Sequence, residues 1–330
     1  MLQSLFLGRS PEMQKVSGSV PREYLDSYEE LEEWKPYYDP MTQPFEISLP
    51  VYQPRPSYAL STFTSLLRLC DIMGRVIKAF YSASSIQIGK EVLLKERETI
   101  RNMLVAWQDE LPSWLRFRPG VDETPPPHQI TPHAIFSTLV ILTEQAFLNR
   151  GHFSFSLEQE AQNETRERCI QAALHIWQLV EAYKKAFTLR RAQYGISYAS
   201  YCAVVVILQQ TDHDSDEYID CIRFFWRALL EYQKGCNYGL QKPLKLLKSL
   251  MRRLENVSQN INMDETETET WQGVGSFQAE LDSILGSDMH TQGTINEWNG
   301  AAWDFAPNNG PLGYDTMFGV ATDSIFGFCM

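Results

Sequence analysis

No lysine or arginine follows Arg253, yet twelve Asp and Glu are spread from Glu255 to Asp323. Residues 1–253 hold 29 acids and 29 bases, so the whole formal charge of −12 resides in the terminal segment. Among those acids stand Trp271, Phe277, Leu281, Leu285, Trp298, Trp303, Phe305, Tyr314, Phe318, Phe326 and Phe328, in a background of Gly, Asn, Ser and Thr. Apolar residues this sparse cannot offset the entropy of ordering such a chain. Mutual repulsion keeps the aromatics solvated and available to a partner's groove, so residues 256–330 are expected to be a disordered acidic-aromatic tail.

The remainder is long enough to bury one sizeable core of roughly 150 to 250 residues. Cys70, Cys169, Cys202, Cys221, Cys236 and Cys329 are widely spaced, with no C-x-x-C pair and no matching His spacing, so neither a zinc module nor a redox motif is encoded. Five of them sit among apolar residues and read as reduced core thiols. Met1–Leu7 is too short for a signal peptide, and no apolar run of about 18 residues could span a bilayer. The expectation is a soluble intracellular protein with no membrane partner. A pI near 5.0 disfavours direct binding to a nucleic acid backbone.

Between Glu12 and Pro56, prolines at 36, 40, 44, 50, 54 and 56 exclude a long helix and predict an extended loop or lid. Leu66, Leu69, Cys70, Met73, Ile77 and Phe80 then recur at three- and four-residue steps, the stripe of a helix. A second helix is expected from about Ser85 to Glu110, stopped at Pro112, after which Leu115 and Trp114 can dock back. Thr124-Pro125-Pro126-Pro127 reads as a stiff connector. Thr131-Pro132 looks like a cap followed by a proline at the first helical position, opening a central helix that is apolar nearly all round. Further helices are expected over 157–187, 196–209, 218–235 and 243–254, the first of these with Cys169, Ala172, Ala173, Ile176, Leu179, Val180 and Tyr183 inward. No segment alternates with strand period over a useful length, and the body is predicted to be all-α.

Few residues suggest chemistry. Asp212, Asp214, Asp216 and Glu217 crowd together, but spacing of two does not align side chains on a helix, and the cluster reads as an acidic turn before a helix N-terminus. His128, His133, His152, His175 and His213 are isolated in sequence, without a local nucleophile motif. Gly273-x-Gly275 has neither strand nor helix beside it. Lys242, Lys245, Lys248, Arg252 and Arg253 fall on one face of the final helix, with Leu244, Leu247, Leu250, Met251 and Leu254 on the other. That basic face is either a solvated surface, a nuclear import signal or a place for the acidic tail. No catalytic, cofactor or metal residue is assigned.

Several stretches, in order, resemble the regulatory domain of fungal zinc-binuclear-cluster transcription factors of the xylanolytic and nitrate-assimilation type. Leu5-Phe6-Leu7-Gly8-Arg9-Ser10-Pro11 is similar to that family's Leu-Gly-Arg signature, and Arg55-Pro56-Ser57-Tyr58 to the start of the helix after its variable loop. Trp107 to Leu115, Thr131 to Asn149, Cys169 to Ile176, Phe187-Thr188-Leu189-Arg190 and Ile196-Ser197-Tyr198 continue the collinear match. One departure is Glu144-Gln145-Ala146-Phe147, where the family commonly has His-Arg-Pro-Phe. The resemblance implies a signature segment and acidic loop over 1–56, a helical regulatory domain over 57–255 and an activation tail over 256–330. It implies a nuclear transcriptional regulator, an activator of one metabolic or biosynthetic pathway, whose tail recruits coactivators through Trp271, Phe277, Leu281, Leu285, Trp298, Trp303, Phe305, Phe318 and Phe326. Homo- or hetero-dimers with related regulators would be partners. DNA would be reached only through an upstream domain or a partner, and zinc would be needed only by an upstream cysteine cluster.

In the family, that cluster and further helices precede the Leu-Gly-Arg signature, so the helical body is expected to be incomplete at its N-terminal side. The faces of Leu139–Leu142 and Tyr201–Leu208 should then lack part of their cover. Two rival readings differ in class. One is a truncated interaction protein that modulates a full-length relative without touching DNA. The other is an all-α enzyme built around the acidic turn.

Overall fold

The computed structural model describes residues 28–36, 52–82, 85–148, 153–210 and 216–235, together with Leu244 and Leu247. Seven α-helices make up this body: α1 (Tyr28–Leu31), α2 (Ala59–Phe80), α3 (Lys90–Asp109), α4 (Pro127–Leu148), α5 (Gln159–Ala186), α6 (Tyr194–Gln210) and α7 (Asp216–Lys234). Short 3-10 turns lie at Ser85–Gln87, Ser113–Leu115 and Leu189–Arg191. The fold class is all-α, as the periodicity predicts. The single exception among the described residues is a two-residue antiparallel ladder, β1 (Glu33–Trp34) with β2 (Arg55–Pro56), pairing Glu33 with Pro56 and Trp34 with Arg55.

Helix α4 occupies the centre, packed by α2, α3, α5 and α6, while α7 closes on α6. Its near-uniform apolarity explains the position, because a helix without a polar face can only be stable when covered all round. It starts at Pro127, not at Pro132. The third proline of the connector is itself the first helical residue, where the missing N–H costs nothing. Pro132 lies inside the helix, and Thr131 turns its hydroxyl to the carbonyl of Pro127 and to Gln193 Oε1, 2.6 Å away.

In α2 the buried arc runs through Leu69, Ile72, Met73, Val76, Ile77 and Phe80, whereas Leu66 and Cys70 are only half-buried. The predicted stripe is rotated because α2 is covered from two sides: α4 takes one, and α3 takes the other by donating the Trp107 indole N–H to the Ser65 carbonyl at 2.9 Å. Tyr58, before α2, sits at φ 46° in the left-handed region, a strain of order 1 kcal/mol for a bulky residue. What holds it is α1: the Glu30 carbonyl accepts from Tyr58 N at 2.9 Å, and the Glu30 carboxylate accepts from Ser61 N, an N-terminal cap supplied from 31 residues away.

Leu115 docks as expected after the helix stop, and Leu111 is buried with it, but Trp114 does not dock. It is 53% exposed and leans on Tyr58 with ring centroids 6.1 Å apart. All seven inward residues assigned to α5 are buried. The faces expected to be partly uncovered are covered: Leu139, Ile141 and Leu142 are buried, as is every residue from Tyr201 to Leu208, because α5 covers the first face while α4, α5 and α7 cover the second. Leu244 and Leu247, the described residues of the last predicted helix, are helical and buried.

Candidate functional site

The charged residues that a burial argument cannot ignore lie under α4. Glu144 is 1% exposed in a helix with no polar face, and a carboxylate there is tolerable only with charged partners. Arg97 and Arg101, one turn apart on α3, supply them. Arg101 Nε and Nη2 donate to the two carboxylate oxygens at 2.7 Å each, and Arg97 donates to Oε2 through Nε at 3.1 Å and through Nη2. Arg97 Nη2 also reaches Thr165 Oγ1 on α5, and its guanidinium lies 4.7 Å from the Phe147 ring centroid. Burial alone would raise the Glu144 carboxyl, but the bonds and charges of Arg101 and Arg97 outweigh it and hold it below the ordinary value. The same surroundings push the neighbouring Cys169 thiol up, first by burial and then by the Glu144 charge, so it is an inert thiol. Glu144 thus ties α4 to α3 and, through Arg97, to α5, and Phe147 beside it is buried.

The three described histidines, His128, His133 and His175, are scattered and held neutral. His133 Nε2–H donates to the Leu115 carbonyl at 2.8 Å, and His128 Nε2–H to the Ser57 carbonyl at 2.6 Å. His175 Nδ1 shares a 2.9 Å hydrogen bond with the Ser137 hydroxyl. Burial lowers all three, His175 to about 4 with the charge of nearby His133 adding to it. A Ser–His contact is the beginning of a nucleophilic pair, but Ser137 is 1% exposed, and among the described residues no carboxylate orients His175. Nor do the described residues contain a group of three or more His, Cys, Asp or Glu placed to hold a metal ion. Among them no helix is long and apolar enough to cross a membrane.

Where the Pro-rich segment is described, aromatic side chains hold it. Trp34 and Tyr52 meet edge to face at 5.5 Å, and both contact Phe187 beyond α5, at 5.5 and 4.9 Å. Tyr52 donates its hydroxyl to the Thr124 carbonyl at 3.0 Å, and burial pushes its phenol up to about 12. This part of the predicted lid is fastened to the ends of α4 and α5.

The sequence-predicted functional residues fall elsewhere. Trp271, Phe277, Leu281, Leu285, Trp298, Trp303, Phe305, Phe318 and Phe326, and the basic set Lys242, Lys245, Lys248, Arg252 and Arg253, lie outside the described residues, as do His152, His213 and the acidic turn up to Ser215. The Arg97–Arg101–Glu144 group is the feature missed in sequence.

No family model matches the chain, and no solved structure matches it. Two characterised proteins do. Over 207 residues, 62% of this chain and 22% of the relative, it is 27% identical to the nitrogen assimilation transcription factor nirA of Emericella nidulans. Over 190 residues, 57% of this chain and 16% of the relative, it is 29% identical to the nitrogen assimilation transcription factor nit-4 of Neurospora crassa. The chain therefore spans less than a quarter of the length of either. Both relatives are transcription factors rather than enzymes, and the similarity ties the greater part of this chain to fungal transcriptional regulators.

Proposed function

We propose that this chain is a nuclear transcriptional regulator whose helical body, residues 57–255, receives signals or partners and whose acidic-aromatic tail, residues 256–330, recruits coactivators. The observation that carries the reading is the similarity of over half the chain to two fungal nitrogen assimilation transcription factors. Two features support it. In the body, the ionisable and nucleophilic side chains singled out above are tied to one another or to backbone, an arrangement for holding shape. In the tail, large aromatics embedded in uncompensated negative charge are suited to a coactivator's basic-rimmed apolar groove, where such side chains supply most of the binding energy. The target is a metabolic pathway, with nitrogen assimilation the first to examine by analogy with the relatives' names.

The test is a tethered reporter in a fungal nucleus, with the full chain fused to a heterologous DNA-binding domain. Replacing Trp271, Phe277, Trp298, Trp303, Phe305, Phe318 and Phe326 together by Ala should reduce output to the level of the DNA-binding domain alone while leaving the protein's abundance unchanged. Output equal to the parent would remove the tail from the mechanism.

A further inference from the structure

Helix α2 presents three faces of different character. Its buried arc meets α4 and α3, and Thr64, Arg68, Asp71 and Arg75 form an exposed polar face. The third face is apolar without being buried. Leu60, Phe63, Leu67, Cys70 and Gly74 follow one another at alternating steps of three and four residues, which places them on one stripe of the helix. Phe63 is 43% exposed, and the other four are half-buried. None of the five carries a charge.

The far end of the stripe is built for close approach. A glycine inside a helix costs roughly 1 kcal/mol relative to alanine, a cost that is offset where another stretch of chain must come near the bare backbone. Gly74 is such a residue, and Cys70 beside it is small as well. The stripe therefore runs from the large side chains of Leu60, Phe63 and Leu67 to a shallow floor one turn further on.

Residues 1–27, which precede α1 and lie outside the described structure, contain a segment of matching character. Their apolar side chains concentrate in Met1-Leu2-Gln3-Ser4-Leu5-Phe6-Leu7, a stretch without a charged side chain, and a polar linker of twenty residues, 8–27, follows it. The point of attachment suits the stripe. Glu30 of α1 accepts from Tyr58 N through its carbonyl and from Ser61 N through its carboxylate, so the described chain begins at the end of α2 where Leu60 and Phe63 lie. Twenty residues reach up to about 66 Å when extended. From Leu60 to Gly74 the stripe is about 21 Å long at the α-helical rise, so reach is no obstacle.

We propose that Leu2–Leu7 docks on the α2 stripe of its own chain, with its Leu and Phe side chains against Leu60, Phe63 and Leu67 and its backbone passing close to Gly74. Six extended residues span about 20 Å, the length of the stripe. Size and charge select this occupant. A stable interface between separate molecules needs about 800 Å² from each partner, whereas five partly exposed side chains offer at most a few hundred. A tethered segment needs far less, because its effective concentration is roughly millimolar. The acidic tail is a poorer match, since its aromatics are interleaved with carboxylates that an apolar stripe would desolvate without a counter-charge. The inference concerns how the helical body is completed and stands apart from its role in transcription.

The test uses the full chain with Phe6 replaced by photoreactive p-benzoylphenylalanine, which keeps an aromatic ring at that position. Irradiation, proteolysis and mass spectrometry are expected to find residue 6 joined to the α2 peptide, in a product that runs as a monomer on a denaturing gel. A second readout is Cys70, a free thiol on the stripe. Its alkylation by iodoacetamide, followed peptide by peptide, should be severalfold faster when Leu5→Asp and Phe6→Asp are combined. The rates at the buried Cys169, Cys202 and Cys221 should stay unchanged, which checks that the body remains folded. Cross-links to α2 found only in a dimer band would give the face to a second copy. Cross-links to other helices, or none, would leave it to a different partner, and an unchanged Cys70 rate would mean that the segment does not cover it; each of these results overturns the proposal.

Discussion

Helices α4 and α3 lie against each other and solve opposite problems. In α3, Leu93, Arg97, Ile100, Leu104 and Trp107 form one buried stripe, while Val92 and Val105 on other faces are 62% and 56% exposed, so its remaining polar side chains can use water. In α4 nearly every position is buried, including Thr138, Thr143, Glu144 and Gln145. Its polar groups must therefore find partners in protein: Thr138 and Thr143 donate to the carbonyls one turn back at 2.8 and 2.7 Å, and Glu144 takes two arginines from α3. The difference teaches where charge matters in this body. A charge beside α3's solvent faces is replaceable, and one inside α4 is not.

The largest effect should come from breaking that interior group. Glu144→Gln leaves Arg97 and Arg101 without their counter-charge under α4 and is expected to cost about 3–5 kcal/mol of unfolding free energy, measured by urea titration at neutral pH. Replacing Arg97, Arg101 and Glu144 together by apolar residues of similar volume should cost far less than Glu144→Gln, because no unpaired charge remains. A small loss for Glu144→Gln would mean that water reaches this region, and the contrast between the two helices would fail.

A second difference within α4 concerns protons. His133 on α4 and His175, which bonds to Ser137 of α4, are both held neutral by burial, so the folded state binds fewer protons than the unfolded chain. For a base lowered on folding, stability is complete well above the unfolded value and is lost as pH falls below it. With His175 taken from 6.5 to about 4, the linkage amounts to roughly 2 kcal/mol lost between pH 7 and pH 5. The window ends before the lowered Glu144 carboxyl takes up its proton. Urea titrations of the parent and of His175→Gln at both pH values check it. The variant should be less stable at pH 7 but markedly flatter with pH, and parallel curves would assign the acid sensitivity elsewhere.

Much of this body was legible because most helices are amphipathic or uniformly apolar over long spans. The seven inward residues of α5 follow from 3.6-residue periodicity alone. The start of α4 was obscured because Thr131-Pro132 imitates a helix N-terminus, while Pro127, ending a run of three prolines, looks like connector. Local chemistry allowed both, and packing against Gln193 selected one. Glu144 carried a signal that periodicity could have caught. A carboxylate in a helix with no polar face requires a cation, and Arg97 stands at a stripe position between Leu93 and Ile100. The exposure of Trp114 and the cap given by Glu30 depend on how distant segments meet, which no local pattern encodes. The predicted anchors of the tail lie outside the described residues, and their role stands on composition and the reporter experiment.

The smallest effect, and the control for the rest, is the ion pair between α2 and α3. Arg75 bonds Glu96 through Nε and through Nη2, the latter at 2.9 Å, so its geometry rivals that of the interior group. Yet the two side chains are 42% and 28% exposed, and in that setting water and salt supply most of what the partner supplies. A double-mutant cycle of Arg75→Ala and Glu96→Ala should give a coupling below about 1 kcal/mol that vanishes near 1 M salt, where the Debye length is about 3 Å. The Arg101–Glu144 coupling, measured the same way, should be severalfold larger and keep most of its size in salt. Equal couplings with equal salt dependence would show that bond geometry, rather than removal from water, decides the strength of charge pairs here, and the distinction between α4 and α3 would have to be redrawn on that basis.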